Sequence, residues 1–600
     1  MKRMIHAGKT ATPLVALGAA LSILSGCAQT GTPQTIERAD GAEMEVVRPN
    51  RDSSDLFGAY LAASQARVSH DFEQASDLFR DVLKVKPGTV PVLSKAFLNA
   101  IESGQRDEAE RLAASLLDQS DSAYVSRLVL ALKAVRTKQF GDLIGPGVKP
   151  KFAEKMLFEP MVKGWAYTGA GEPEKAVEEF ETLSEAGQLT SFHDYYAALI
   201  YDFCGETQKA EKAFDRLRDA GEGSIRVIVA HGRFLERQGK HDEAIALYDR
   251  FLEQNGDNLA ILEERARAQR KGSVPAFITS ASHGLSEAFY AFGAEMAARD
   301  SGTSVLFLRM ALFAYEDHKP ARLLLARLFE VNERLDTALF EYRKIGGSGA
   351  HALSAKTRAA EIESELNEGS DDVPLRELRS LANSTDIHAA RRMILESIGR
   401  ILGNEERWAD AIEVYTDMIE DTGPEVRDDW RLYFARAVAY ERSKQWDAAE
   451  ADLMHALELE PDQPEVLNYL GYSWIDRGIN LTEGRIMIER AVEARPDAGF
   501  IVDSLGWVHY RLGNYEQAVT ALERAVALEP GDPTINDHLG DALWRVGRRI
   551  EARFQWRHAL GMDPTPELEA AIRSKLEWGL GAPEPLPSSS ATREGAKAHS

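Results

Sequence analysis

Cysteine is scarce in this chain of 600 residues: there are two, Cys27 and Cys204. Two thiols form at most one bridge, so a disulfide framework and a Cys-rich zinc site are both excluded. Positive charge is also in deficit. The 71 Lys and Arg stand against 95 Asp and Glu, a formal net charge of −24, and such a surface repels nucleic-acid phosphates, so no nucleic-acid partner is expected. Glycine and proline, at 45 and 23, are too few and too aperiodic for a collagen-like chain. With 44% hydrophobic residues, the chain can bury a core and is not globally disordered.

The N-terminus reads as a targeting segment. Lys2, Arg3 and Lys9 precede the apolar run 13–24, which is too short to span a bilayer. That run ends in Leu24-Ser25-Gly26-Cys27, which resembles a bacterial lipobox. The resemblance implies that residues 1–26 are a lipoprotein signal peptide and that the Cys27 thiol carries diacylglycerol, an anchor without a transmembrane helix. Ala28, where an aspartate is absent, resembles an outer-membrane sorting signal, which implies lipid anchoring in the outer membrane, facing the periplasm. Polar residues without hydrophobic periodicity fill 27–52 and predict a flexible lipidated tether.

Internal repetition decides the fold. Leu505-Gly506, Tyr510, Gly513-Asn514-Tyr515, Ala518, Leu522, Ala525 and Pro530 return as Leu539-Gly540, Trp544, Gly547, Ala552, Trp556, Ala559 and Pro564, with Ala518 and Ala552 34 residues apart. The same slot recurs at Ala75, Ala109, Ala176, Ala210, Ala244, Ala338, Ala411 and Ala449, with Ser304 and Gly484 in the series. This period and the Leu-Gly, Ala and Pro positions match the tetratricopeptide family. The expectation is an all-α superhelical solenoid of about thirteen helical hairpins over 53–582. Degenerate units fall near 140–143, 256–281 and 366–381, a capping helix at 567–580, and a disordered tail at 583–600. Gly164, Gly399, Gly506 and Gly540 on the first helix of a hairpin, with Phe180, Tyr415 and Trp556 on the second, predict close helix approach. Prolines at 87, 461, 496, 530 and 564 should stop the second helices.

No catalytic constellation emerges. Gly169-Ala-Gly171-Glu-Pro falls at a turn between two helices, with no strand before it and no Gly-Lys-Ser after it. Asp503, Ser504 and His509 match a triad only in residue type, because positions 504 and 509 point about 140° apart on one helix. No His-Glu-x-x-His pattern occurs, and His538 and His558 read as ordinary helix residues, so neither metal nor cofactor is expected. Cys204 reads as a packed small residue. A weaker possibility is an enzyme hidden in the degenerate stretch 271–292.

Recognition remains. In the last repeats the positions pointing inward from the first helices form ladders: Asn468, Asp503 and Asp537; Tyr472, Trp507 and Asp541; Ile475, Tyr510 and Trp544; Asp476, Arg511 and Arg545. Aromatic and Arg anchors among polar groups suit a protein-binding groove. The alternative is that Trp507, Tyr510 and Trp544 pack between helices. The Lys and Asn pair of a carboxylate-clamp repeat is absent.

Together the lipobox and the segments Asp503-Ser-Leu-Gly-Trp-Val-His-Tyr-Arg-Leu-Gly-Asn-Tyr and Asp537-His-Leu-Gly-Asp-Ala-Leu-Trp-Arg-Val-Gly-Arg resemble the tetratricopeptide outer-membrane lipoproteins that act as adaptors of carboxyl-terminal processing (tail-specific) proteases. The resemblance implies a non-catalytic adaptor that recruits a periplasmic protease, its cell-wall hydrolase substrates, or both. The rival reading is a scaffold for an envelope machine: pilus, polysaccharide export or outer-membrane protein assembly.

Overall fold

The computed structural model describes residues 51–581 except 70, 87–88, 118–123, 146–157, 185–189, 367–371 and 422–428. The signal peptide, Cys27, the tether up to residue 50, Pro87 and the tail lie outside the described residues; 51 and 52 open the helix Arg51–Val68. Within them the chain is an all-α repeat solenoid, helices succeeding one another as antiparallel hairpins, and no strand is present among them. None of these helices is long and apolar enough to cross a membrane. The chain divides into two compact units, one up to Ile394 and one from Leu395.

The glycine and slot pattern works as the repeat requires. A Cβ on Gly540 would lie 2.5 Å from the Trp556 ring, on Gly164 2.4 Å from Phe180 and on Gly399 2.6 Å from Tyr415. Each large side chain therefore seats on the glycine of its own hairpin. Phe180 also stacks on Tyr196 of the next hairpin, at 5.0 Å and 9°, so one ring seals two interfaces. The slot alanines are buried throughout. Helices end before the prolines, at Leu459, Ala494, Leu528 and Leu560.

Turns inside the hairpins need a left-handed residue. Gly171, at φ +80°, follows helix Phe158–Ala170 and precedes Pro173–Ser184, so this glycine cluster is a turn, and a helix stands where a phosphate loop would need a strand. The degenerate unit near 140 has a second helix of a single turn, Gly141–Ile144. Near 256–281 the helix Leu259–Gln269 is followed by irregular chain up to Ser280.

In the N-terminal unit the helices Ala281–Met296 and Ser301–Ala314 pack back onto Val90–Glu102, Tyr124–Arg136 and Phe158–Ala170. Gly284 permits this: its Cβ would lie 2.2 Å from the Trp165 ring. Every residue from Phe307 to Ala314 is buried, as expected for a helix apolar all round. Arg136 Nη1 donates to the Phe313 carbonyl at 3.0 Å and Arg309 Nε to the Glu102 carbonyl at 3.0 Å. The chain thus fills the inner face of its own early repeats. The last helix, Pro566–Trp578, lies where the sequence places a cap.

Candidate functional site

The ladder residues of the C-terminal unit sit on three first helices, Pro464–Arg477, Gly499–Arg511 and Pro533–Arg545. Asn468, Asp503, Asp537 and Asp541 are buried, whereas Tyr472, Trp507, Tyr510, Arg511, Trp544 and Arg545 are half-buried. Neighbouring rungs bond to one another at an interval of 35 residues, one repeat plus one position. Arg511 Nη1 meets Asp476 at 2.7 Å, His538 Nδ1 meets both Asp503 oxygens at 3.0 Å, and Arg545 Nε donates to the Tyr510 hydroxyl at 3.1 Å. Much of the ladder therefore braces adjacent repeats.

Trp507 joins these rungs. Its ring stacks on His538 at 4.1 Å and on Tyr510 at 4.8 Å, with interplanar angles of 20° and 11°, yet its indole N–H has no hydrogen-bond partner. The buried Asn468 amide also has none, which is the kind of group that must find water or a ligand. Burial opposes a charge on His538, but the Asp503 carboxylate, then Asp537 and Asp541, hold it above its ordinary pKa. The structure therefore gives His538 a charged partner where the sequence read an ordinary helix residue. Ser504 instead donates to the Phe500 carbonyl, so no triad forms.

The last helix ties down the end of the ladder. Lys575 Nζ lies 2.7 Å from Asp537 and 2.8 Å from Asp541, and Trp556 Nε1 donates to Asp541 at 2.9 Å. Burial and then Asp537 push the Asp541 carboxyl up to about 6. Arg545 donates to the Gly581 carbonyl, and a Cβ on Gly579 would lie 2.2 Å from the Trp544 ring. Asp537, Asp541, Trp544 and Arg545 are thus engaged by the chain itself. Tyr472, Trp507, Tyr510 and Arg511 keep an exposed edge.

Sequence reasoning missed a second polar cluster, in the N-terminal unit. Glu287 is fully buried and accepts from Arg226 Nε at 2.8 Å, from the Tyr195 hydroxyl at 3.0 Å and from His318 Nε2 at 3.0 Å. His318 Nδ1 accepts from the Ala321 N–H, which fixes the ring proton on Nε2. Burial would raise the Glu287 carboxyl; Arg226 and His318 hold it well below the usual range instead. The cluster pins helix Ala281–Met296 against Arg226, Tyr195 and His318. Thus the stretch 271–292 carries a packing element. The available signal was the small residues Ala281, Gly284 and Ala288, spaced for close helix contact.

Cys204 is half-buried, and burial, then Glu174 and Glu206, push its thiol up, the reverse of an activated nucleophile. Among the described residues no group of three or more His, Cys, Asp or Glu could hold a metal ion.

Comparison with known proteins follows the same lines. Residues 226–268 and 397–464 match tetratricopeptide-repeat families, and 506–547 match a TPR-repeat family. A TPR repeat-containing protein of Pseudomonas aeruginosa is 28% identical over 194 residues, covering 32% of this chain and 31% of that protein. Bacteriophage adsorption protein A of Escherichia coli K12 is 38% identical over 80 residues, 13% of this chain and 8% of its own. The chain therefore spans under a third of the first relative and under a tenth of the second. Among solved structures, a chain of the APC/C hetero-tetramer Cut9-Hcn1 is similar at 13% identity and a TM-score of 0.33, over 88% of this chain and 97% of that one. MamA from Desulfovibrio magneticus RS-1 is similar at 15% identity and a TM-score of 0.25, over 29% and 96%. The 34-residue slots, the glycine-seated rings and the matched segments in both units make the described fold a tetratricopeptide-repeat solenoid.

Proposed function

We propose that the protein is a non-catalytic adaptor, held by a lipid on Cys27 at the periplasmic face of the outer membrane, that recruits a carboxyl-terminal processing protease, its cell-wall hydrolase substrates, or both. Tetratricopeptide repeats serve as protein-interaction scaffolds. The observation that carries the reading is the stacked trio Tyr510, Trp507 and His538, half-buried, with an unpartnered indole N–H beside Arg511. Such aromatic and Arg anchors are what interface hot spots are made of. Holding protease and substrate on one tethered array raises their encounter rate without new chemistry.

The test is affinity capture from envelope extract with the wild-type chain and with Trp507→Ala/Tyr510→Ala. A protease and wall hydrolases should be recovered by the wild type and lost with the variant, while its melting temperature falls only modestly; a collapse of stability would make these aromatics core. Recovery of secretion or assembly proteins without a protease would replace the adaptor by the envelope scaffold. Membrane retention that survives Cys27→Ser would remove the lipid anchor from the proposal.

A further inference from the structure

The N-terminal unit contains a cavity of about 460 Å³ between the turn at Gly104–Glu108 and the back-packed segment that runs from Arg309 to Lys344. Five cationic side chains line it, Arg80, Arg106, Arg309, Arg322 and Lys344, in a chain whose net charge is −24. The acidic lining residues are spent at the rim. Asp107 and Glu316 pair with Arg106 at 3.3 and 3.4 Å, and Glu108 lies 3.6 Å from Arg80 and is bridged by Arg111.

The floor is different. The side chains of Arg309 and Arg322 are 5% and 10% exposed, and both lean on one carboxylate, Glu341, at 2.6 and 2.7 Å. Two guanidiniums sharing one carboxylate leave an excess positive charge where desolvation makes charge costly. Arg309 gives Nε–H to the Glu102 carbonyl and one Nη1 hydrogen to Glu341, which leaves the second Nη1 hydrogen and both on Nη2 as donors. Arg322 gives one hydrogen from each terminal nitrogen, to Glu341 and to the Glu316 carbonyl, so each keeps a second. Lys344, at the mouth, rests its ammonium over the Phe340 ring at 4.0 Å; burial lowers its pKa against the pull of Glu341, and Arg322 and Arg309 add to the lowering. The turn that closes the cavity is kept side-chain-free: a Cβ on Gly104, at φ +78°, would lie 2.9 Å from Arg309 Nη1. Buried guanidinium forks that outnumber their carboxylates, with an ammonium at the entrance, form the donor set for a planar or tetrahedral oxyanion.

We infer that this cavity is a binding site for the oxyanion group, carboxylate or phosphate, of a small ligand, seated on the Arg309 and Arg322 floor with Lys344 closing the entrance. The site is separate from the aromatic ladder and does not depend on the adaptor reading.

Isothermal titration of the full-length chain, in a low-salt chloride buffer, with inorganic phosphate and separately with citrate tests it. Heat of binding is expected with at least one probe, weakening with added salt. Phosphate alone would assign a phosphate-bearing ligand, citrate alone a carboxylate-bearing one. Lys344→Gln removes a solvent-facing charge and spares the Glu341 pairs; it should weaken binding about fivefold or more, with Lys344→Arg restoring it. Lys212→Gln, exposed on the same unit, should leave affinity unchanged. Absence of binding by either probe at millimolar concentration would overturn the inference. So would an equal loss in the Lys344→Gln and Lys212→Gln variants.

Discussion

Two residue types set the tolerances of this molecule. Gly540 is confined by Trp556, whereas Gly531, in a turn, has nothing within 4 Å of the position a Cβ would take. Gly540→Ala should cost about 1–3 kcal/mol by overpacking, and Gly531→Ala should cost little, both read as shifts in the urea midpoint. Equal midpoints for the two variants would deny the glycine its place in the packing. His231 is the second type. It stacks on Phe214 at 4.8 Å, and burial, then Arg218, push it down to about 4. A histidine depressed in the folded state is charged first in the unfolded chain. Stability is therefore lost as pH falls from about 6.5 toward 4, the window between the unfolded and folded values. Hydrogen exchange in helix Ile225–Arg237, corrected for intrinsic rates, should accelerate from pH 7.5 to pH 5. Replacing His231 by Phe should flatten that response.

At the scale of the element, helix Pro566–Trp578 shows how little apolar burial a terminal helix needs when charge assists it. Ile572 is its one fully buried residue, with Leu568 and Leu576 partly buried beside it; Lys575 adds to this by neutralising Asp537 and Asp541. Lys575→Met should destabilise the C-terminal unit by about 3 kcal/mol at neutral pH, because two buried carboxylates lose their counter-charge. Asp541 is raised to about 6 in the folded state, so folding favours its protonated form and stability returns as pH falls below that value. Thermal unfolding of the variant at pH 7.5 and pH 5 would show whether the deficit narrows; a deficit constant with pH would remove the carboxylate pair as its cause. The same helix explains why the groove was only partly legible. Inward positions at Asp537 and Asp541 follow from the 34-residue register, but whether a partner or Lys575 meets them depends on where a distant helix docks, which periodicity does not encode.

At the scale of the whole molecule, the repeats were legible because each is a local device: a glycine, the large residue 16 positions later and a left-handed turn residue between them, as at Gly164, Gly171 and Phe180. The same locality hid two features. The 35-residue braces, such as Arg511 with Asp476, require knowing how one first helix is shifted against the next. The return of Ala281–Met296 and Ser301–Ala314 to the early repeats depends on contacts between residues far apart in sequence, such as Arg309 with Glu102 and Arg136 with Phe313. The sequence placed helix 301–314 in the regular series through Ser304, and its apolar residues on every side were the local signal of the added contact.

That return has a consequence in time. An ordinary repeat array can grow one hairpin after another, each new unit completing the core of the last. Here the helices Val90–Glu102 and Tyr124–Arg136 gain their inner contacts from a helix that begins at Ser301. As the chain emerges from its N-terminus, the first repeats wait with an apolar face uncovered until a segment almost two hundred residues downstream arrives. Closing so long a loop is slow compared with local hairpin formation. The N-terminal unit therefore matures late even though its sequence comes first.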